Sequence, residues 1–188
     1  MKQLFITIAL IFSLFQVNAQ TSTWDGTSST WTNGNGTVDN PFLIETAAHL
    51  SYLSQQVVIG QTYNGQYFRL MTNINLNNLD WIPIGGRNMQ GESSANAFAG
   101  VFDGNNKTIS NLKINTPNKN NTGLFGYVES YSFNPEIRNL SVVSGTVNGN
   151  SSTGGVIGYL KGRVRNPASK KILVTHWSSI NYAKIIFT

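Results

Sequence analysis

The sequence predicts a mainly β protein that folds as a solenoid, a stack of similar structural units, with a helix covering its N-terminal end. The first observation is a pattern that occurs twice: residues 109–114 resemble 137–142, and residues 123–128 resemble 155–160. The distance in sequence between the two copies is slightly larger for their second halves than for their first halves, which is consistent with an inserted loop. Units this short bury their apolar faces only by stacking on neighbouring units. The second observation is the alternation of apolar and polar side chains over 68–76, which is typical of a strand with one buried face.

The N-terminus has the features of an export signal, which we place at residues 1–19. Lys2 supplies a positive start, Leu4 to Phe15 form an apolar run, and small residues at 17–19 precede Gln20. This apolar run is too short to cross a bilayer, since a membrane-spanning helix needs about 20 residues. We therefore expect cleavage near Ala19-Gln20 and a secreted or cell-surface bacterial protein that does not span the membrane. An uncleaved anchor or a core helix is the alternative interpretation.

Residues 20–66 are predicted to form an N-terminal cap that includes a helix over 46–59. Thr46 can cap the N-terminus of this helix and Gly60 can close its C-terminus. His49 is the one histidine on the helix, which favours a solvated or hydrogen-bonded role over catalysis or metal binding. Four apolar residues fall on one helical face: Ala47, Leu50, Leu53 and Val57.

Aromatic residues are the candidate ligand contacts. Trp24 and Trp31 lie in a segment rich in threonine, serine, glycine and asparagine, and Trp81 precedes an apolar turn. Aromatic rings can stack on sugar rings, so these tryptophans are candidate glycan contacts, with Tyr127 and Tyr159 as further aromatics of the same kind. For Trp24 and Trp31, the alternative is that they cover an open edge of the core.

Residues 67–160 are predicted to form the stacked strands. If the two copies of the pattern lie side by side, Leu112 falls beside Leu140, and Asn111 and Asn139 form a ladder of amides at a bend. Glycines would let neighbouring units approach closely at positions 123, 126, 155 and 158.

The charge distribution argues against a nucleic-acid partner. The chain has a formal net charge of +5, but residues 21–160 contain six basic and eight acidic residues. The excess of positive charge lies in Lys2 and in residues 161–188. The body of the protein therefore lacks the basic face that contact with phosphates requires.

Four motifs occur in a fixed order along the chain: Pro41-Phe42-Leu43-Ile44 with Leu50 and Leu53, Trp81-Ile82-Pro83-Ile84-Gly85, Phe98 to Asn105 followed by Lys107-Thr108-Ile109, and Gly123-Leu124-Phe125-Gly126. Together they resemble the GLUG-motif repeat family of bacterial surface and secreted adhesin-like proteins. The resemblance covers roughly residues 38–161 and implies a right-handed parallel β-helix without an active site, so no catalytic residue is carried over.

The pattern stops after Leu160. Residues 161–188 are basic, lack the matching glycines, and form an atypical tail. We interpret this tail as a truncated or frame-shifted end, with a genuine C-terminal cap as the alternative.

The sequence offers little for catalysis or metal binding. Asp80, Asp103, Glu129 and Glu136 are carboxylates that stand alone in sequence, whereas glycoside hydrolysis needs a pair about 5–10 Å apart. The chain has no cysteine, and its two histidines, at 49 and 176, do not make a zinc site. Oxygen ligands alternate over 73–80, but only Asp80 among them is charged, so an amide-rich turn is favoured over a calcium site. We expect no catalytic residue, no metal and no cofactor.

The leading hypothesis is therefore an exported, non-enzymatic β-helix module of adhesin-like type, a fragment of a longer protein used for surface display or adhesion. Its partners would be host or surface glycans or proteins. A carbohydrate-binding or polysaccharide-degrading β-helix is one alternative, and an accessory region of a surface metallopeptidase is another.

Overall fold

The computed structural model describes residues 20–86, 96–161 and 163–165, and over these ranges the protein is mainly β. The predicted signal peptide at 1–19, His176 and most of the predicted tail lie outside the described residues.

The helix in the described part of the chain, α1, runs Ala47–Val58. The Thr46 hydroxyl accepts a hydrogen bond from the His49 amide at 3.1 Å, and Gly60 follows the helix with φ at +104°. These positions confirm the two predicted ends of the helix. His49 Nδ1 accepts a hydrogen bond from the Glu45 amide at 3.2 Å, in agreement with its predicted hydrogen-bonded role. The face predicted to be apolar is buried at all four positions, namely Ala47, Leu50, Leu53 and Val57.

Nine strands are described, and every pair of neighbouring strands among them runs parallel. Seven form one curled sheet, and two form a second sheet. The strands of the curled sheet are β1 (Thr21–Thr23), β2 (Phe42–Ile44), β3 (Tyr67–Leu70), β4 (Asn73–Asn75), β5 (Val101–Thr116), β7 (Glu136–Gly149) and β9 (Arg163–Arg165). The second sheet contains β6 (Phe125–Glu129) and β8 (Ile157–Lys161).

The main sheet curls around β5. The first residues of β5 pair with β3, and its later residues pair with β4. Between the two parts, Asn105 and Asn106 have φ of 49° and 58°, in the left-handed region that asparagine tolerates better than most residues. Strand β7 follows β5 on both sides of this bend, with an irregularity between Asp103 and Lys107.

The register predicted for the first halves of the pattern, which sets Ile109 beside Ile137, is wrong. Ile137 pairs instead with Phe102, and beyond the bend Ile109 pairs with Val142. Leu112 consequently lies opposite Gly145 and not beside Leu140.

The amide ladder predicted between Asn111 and Asn139 is wrong for the same reason. The Asn111 side chain donates to Asn75 and accepts from Ser144, whereas the Asn139 side-chain amide donates to Asp103 at 3.0 Å. Both asparagines have positive φ, 56° and 52°, so each stands at a bend of its strand. The shared sequence around them marks two different bends of the curled sheet, and matching them misplaces the register.

The register predicted for the second halves of the pattern is confirmed. Phe125 pairs with Ile157 and Tyr127 with Tyr159 in the sheet of β6 and β8. The stacking of like apolar side chains also holds in the corrected register: Ile74 pairs with Ile109 and Ile109 with Val142, and all three side chains are buried.

Candidate functional site

Two tyrosines stack on neighbouring strands of the β6–β8 sheet. Phe125 and Ile157 of this sheet are buried in the core, whereas Tyr159 is 40% exposed and Tyr127 is half-buried. The register sets Tyr127 beside Tyr159, with ring centroids 5.0 Å apart and ring planes 25° apart. This parallel arrangement follows directly from the pairing of equivalent positions in parallel strands.

A charged pair lies next to the stacked rings. Glu129 and Lys161 are also register partners, and the Lys161 ammonium lies 2.7 Å from Oε1 of Glu129. The Tyr127 hydroxyl donates to Oε2 of the same carboxylate. Hydrogen bonds from Lys161 and Tyr127 hold the pKa of Glu129 below its ordinary value, so this carboxylate is ionised at neutral pH.

A third tyrosine stands above this pair on the loop that follows β6. Tyr131 is 91% exposed, and the Lys161 ammonium lies 4.6 Å from its ring centroid. Ser130 donates to the Asn64 side chain at 2.7 Å, and Asn64 donates to Ser132 at 3.1 Å. The residues on both sides of Tyr131 are thus fixed to another part of the fold. We call Tyr127, Glu129, Tyr131, Tyr159 and Lys161 the tyrosine patch.

A second charged cluster surrounds Asp103 on β5. The register places Asp103 between Arg69 of β3 and Arg138 of β7, and its Oδ2 lies 3.6 and 3.3 Å from the two guanidinium groups. Burial by itself raises the pKa of Asp103, but hydrogen bonds from Asn139 and Asn105 and the two arginine charges outweigh it, so the pKa lies below its ordinary value.

Acid is expected to weaken the fold through Asp103. Because its folded pKa is depressed, its contribution to stability is complete above the unfolded value of about 4 and is lost as the pH falls through the folded pKa. We expect Asp103→Asn to lower the free energy of unfolding at pH 7 by about 2 kcal/mol and to flatten the acid limb of the stability profile. Urea unfolding between pH 7 and pH 2 measures both effects.

Asp80→Asn is the matched control for this experiment. Asp80 pairs with Lys113 at 3.0 Å, but its side chain is 76% exposed, so the substitution should cost less than about 0.5 kcal/mol. Equal acid limbs for wild type and Asp103→Asn would contradict the assignment to Asp103.

The structure places two of the three candidate tryptophans inside the protein. Trp24 and Trp81 are 7% and 3% exposed and contact each other edge to face at 5.3 Å. Their indole N–H groups donate to the carbonyls of Thr27 and Leu124. Trp31 is partly buried and packs against the core. The rings of Trp24 and Trp81 therefore present no open face to a sugar, and for Trp24 this agrees with the alternative of a role in the core.

Three of the four candidate carboxylates are closely paired with a cation: Asp80 with Lys113, Glu129 with Lys161, and Asp103 with Arg138. The fourth, Glu136, lies 4.0 Å from Arg138, and its buried Oε1 has no hydrogen-bond partner among the described residues. A general acid needs a pKa raised toward neutrality, and those of Asp103 and Glu129 are shifted the other way.

The oxygen-rich segment 73–80 uses its side-chain oxygens within the fold. Asn73 Oδ1 accepts from the Thr108 amide, and Asn75 Oδ1 accepts from the Asn77 amide and the Asn111 side chain. Within the described ranges, no group of three or more His, Cys, Asp or Glu side chains is placed to hold a metal ion. No helix of the described residues has both the length and the apolar character needed to cross a bilayer.

Sequence reasoning singles out Tyr127, Tyr159 and Glu129 but does not join them, and it misses Tyr131 and Lys161. The signal for Lys161 is present, since Glu129 and Lys161 occupy equivalent positions of the two copies, as the two tyrosines do. Tyr131 lies in a loop outside the repeat, so no periodic signal marks it.

Comparisons with known proteins give two relatives. Over 146 residues, 76% of this chain, the sequence is 31% identical to Halomucin from Haloquadratum walsbyi. Over 141 residues, 72% of the chain, it is 36% identical to a protein of Evansella cellulosilytica whose name describes it as a Gly-rich membrane protein. The matches span 2% and 14% of the lengths of these two proteins. No protein-family model matches the chain. No solved structure matches it.

Proposed function

We propose that this protein is an exported, non-enzymatic β-helix module of the GLUG-repeat, adhesin-like type, which serves surface display or adhesion. In this proposal the curled sheet and the β6–β8 sheet are faces of one right-handed solenoid, with α1 covering its N-terminal end. Residues 67–160 then supply the stacked turns.

The observation that carries the proposal is the parallel register between segments about one repeat apart. Tyr67 pairs with Val101, Phe102 with Ile137, and Phe125 with Ile157, so the separation in sequence between partners is similar in the central part of the chain. The pairs at the two ends, β1 with β4, β2 with β3 and β7 with β9, have different separations but are also parallel. A chain whose central strands return to neighbouring positions after similar lengths and in the same direction supports a coil of stacked turns.

The charged groups support a non-enzymatic role. Three of the four carboxylates considered for catalysis, Asp80, Asp103 and Glu129, have a close lysine or arginine partner. Such pairing stabilises a fold, whereas hydrolysis of a glycosidic bond needs one carboxylic acid that is protonated before it reacts.

The names of the two relatives support a location outside the cell. One is named as a mucin and the other as a membrane protein, and the expected signal at residues 1–19 agrees with both.

Export is tested in a bacterial expression host with antibodies against the protein. We expect antibody labelling of intact cells or of the culture medium, and a mature N-terminus near Gln20 by N-terminal sequencing. Leu10→Arg, which interrupts the apolar run, is the matched variant and should keep the chain inside the cell. Equal retention of both proteins in the cytoplasm would contradict the proposal.

The non-enzymatic role is tested separately with the purified protein. Incubation with neutral and acidic polysaccharides should release no reducing ends. Release that disappears in Glu129→Gln or Asp103→Asn would show that the protein is a glycoside-cleaving enzyme and would overturn this part of the proposal.

A further inference from the structure

We propose that the tyrosine patch is a binding site for neutral pyranose rings of a glycan, which stack on Tyr131 and Tyr159 and receive hydrogen bonds from Lys161. This inference rests on the proposed function as an exported adhesin-like module and names the chemical class of its ligand. It concerns binding alone, with no bond made or broken.

The exposed aromatic surface is the first argument. Tyr131 and Tyr159 are 91% and 40% exposed, and both lie around one lysine: Lys161 neighbours Tyr159 in β8, and its ammonium stands 4.6 Å from the ring centroid of Tyr131. A pyranose ring has an apolar face of C–H groups and a rim of hydroxyls, and tyrosine offers an apolar ring with a polar tip. Sites for such ligands combine aromatic surface with a few placed polar groups.

The rigidity of the Tyr131 loop is the second argument. The Ser130 hydroxyl donates to Asn64 and accepts from the amides of Ser132 and Phe133, at 3.3 and 3.1 Å. The Phe133 ring packs edge to face on Tyr67 at 6.4 Å. These contacts fix the backbone on both sides of Tyr131 before binding, which reduces the entropy that a ligand must overcome.

The charge balance of the tyrosine patch indicates a neutral ligand. Lys161 carries one positive charge and Glu129 one negative charge, and they are 2.7 Å apart. The buried Glu129 carboxylate offsets the lysine charge, so an acidic sugar gains little net attraction. A lysine ammonium has three donors, and the Lys161 side chain is 56% exposed, so donors remain for sugar hydroxyls while Glu129 holds the ammonium in place.

Binding is tested with the full chain by affinity electrophoresis in native gels that contain one polysaccharide each. The neutral probes are a β-glucan, a xylan, a mannan and starch, and the acidic probes are polygalacturonate and hyaluronate. We expect at least one neutral polysaccharide to slow the protein, with the matching oligosaccharide giving a dissociation constant on the order of 0.1–1 mM by calorimetry.

Variants locate the site. Tyr131→Ala and Tyr159→Ala should each weaken binding about tenfold or more, because each removes a stacking surface, whereas Tyr131→Phe should bind within about twofold of wild type because the ring is kept. Ile59→Ala is the matched control, since Ile59 is a 75% exposed apolar residue outside the tyrosine patch. Tyr131→Ala and Ile59→Ala should leave the thermal midpoint of unfolding unchanged, which separates binding from stability.

Three results would overturn the inference. These are no retardation by any neutral polysaccharide, retardation by the acidic polysaccharides alone that disappears in salt, or full binding by the Tyr131→Ala, Tyr159→Ala double variant. A protein that is exported yet binds no neutral glycan would refute this inference and leave the proposed function standing, whereas a protein retained in the cytoplasm would refute the proposed function.

Discussion

Phe125→Ala is expected to destabilise the protein by about 4 kcal/mol, among the largest effects of any single substitution in the described core. The Phe125 side chain has no exposed surface, and its ring lies 5.5 Å from that of Phe98 and 5.2 Å from that of Phe102. Truncation would leave a cavity between two rings that are themselves fully buried, so the surrounding core cannot easily close it. Urea unfolding followed by circular dichroism gives the change in the free energy of unfolding.

Tyr131→Ala is the matched control for this substitution, because it removes a ring of similar size from a position that is 91% exposed. Its effect should stay within about 0.5 kcal/mol. A loss below about 1 kcal/mol for Phe125→Ala would mean that the aromatic cluster is not packed as described.

Gly126→Ala is expected to cost about 3 kcal/mol or to prevent folding altogether. A Cβ atom at this position would overlap the carbonyl oxygen of Gly85 and lie 2.5 Å from that of Asn121. Both carbonyl oxygens belong to the backbone, and the Gly126 amide donates a hydrogen bond to the Ile84 carbonyl at 3.0 Å. The neighbouring backbone segments therefore cannot separate without breaking hydrogen bonds. The yield of soluble protein and the thermal midpoint of unfolding measure the effect.

The contrasting variant is Gly60→Ala after α1. Gly60 has φ at +104° but no atom within 4 Å of an added Cβ, so the substitution brings backbone strain alone, about 1 kcal/mol. Similar losses for the two glycine variants would show that the close approach at Gly126 is not a determinant of the fold.

Local features of the fold are predictable from the sequence because each depends on neighbouring residues. The helix α1 is marked by a capping threonine, a periodic apolar face and a closing glycine, and the structure has all three. The register between β6 and β8 is also predictable, since glycines and tyrosines recur at equivalent positions in both strands.

The register of β5 and β7 is not predictable in the same way. A bend in a parallel sheet uses an asparagine in the left-handed region next to apolar residues, and this chain has such a bend at Asn111 and another at Asn139. The similar sequences around Asn111 and Asn139 therefore indicate that both form a bend, but not that the two bends lie side by side in the sheet. The correct pairing sets Asn139 beside the bend at Asn105 and Asn106, and Asn111 beside the bend at Ser144, and these positions share no repeated motif.

The candidate site also contains residues that the sequence identifies and residues whose placement it leaves open. Tyr127 and Tyr159 can be found because they repeat, whereas the placement of Trp24 and Trp81 depends on packing between distant segments and the sequence leaves it open. The Trp81 indole bonds to the Leu124 carbonyl, which lies far away in the sequence, and no local pattern encodes that contact.

The long pairing of β5 with β7 gives the protein a direction-dependent mechanical strength. Twelve residue pairs join these two strands, and the hydrogen bonds of a parallel ladder run sideways from strand to strand. Because both strands bend, a force along one straight part of them would strain the pairs of that part at once, so that those pairs would have to yield together. A force that peels β7 away from β5 would break them one after another and so would need far less tension.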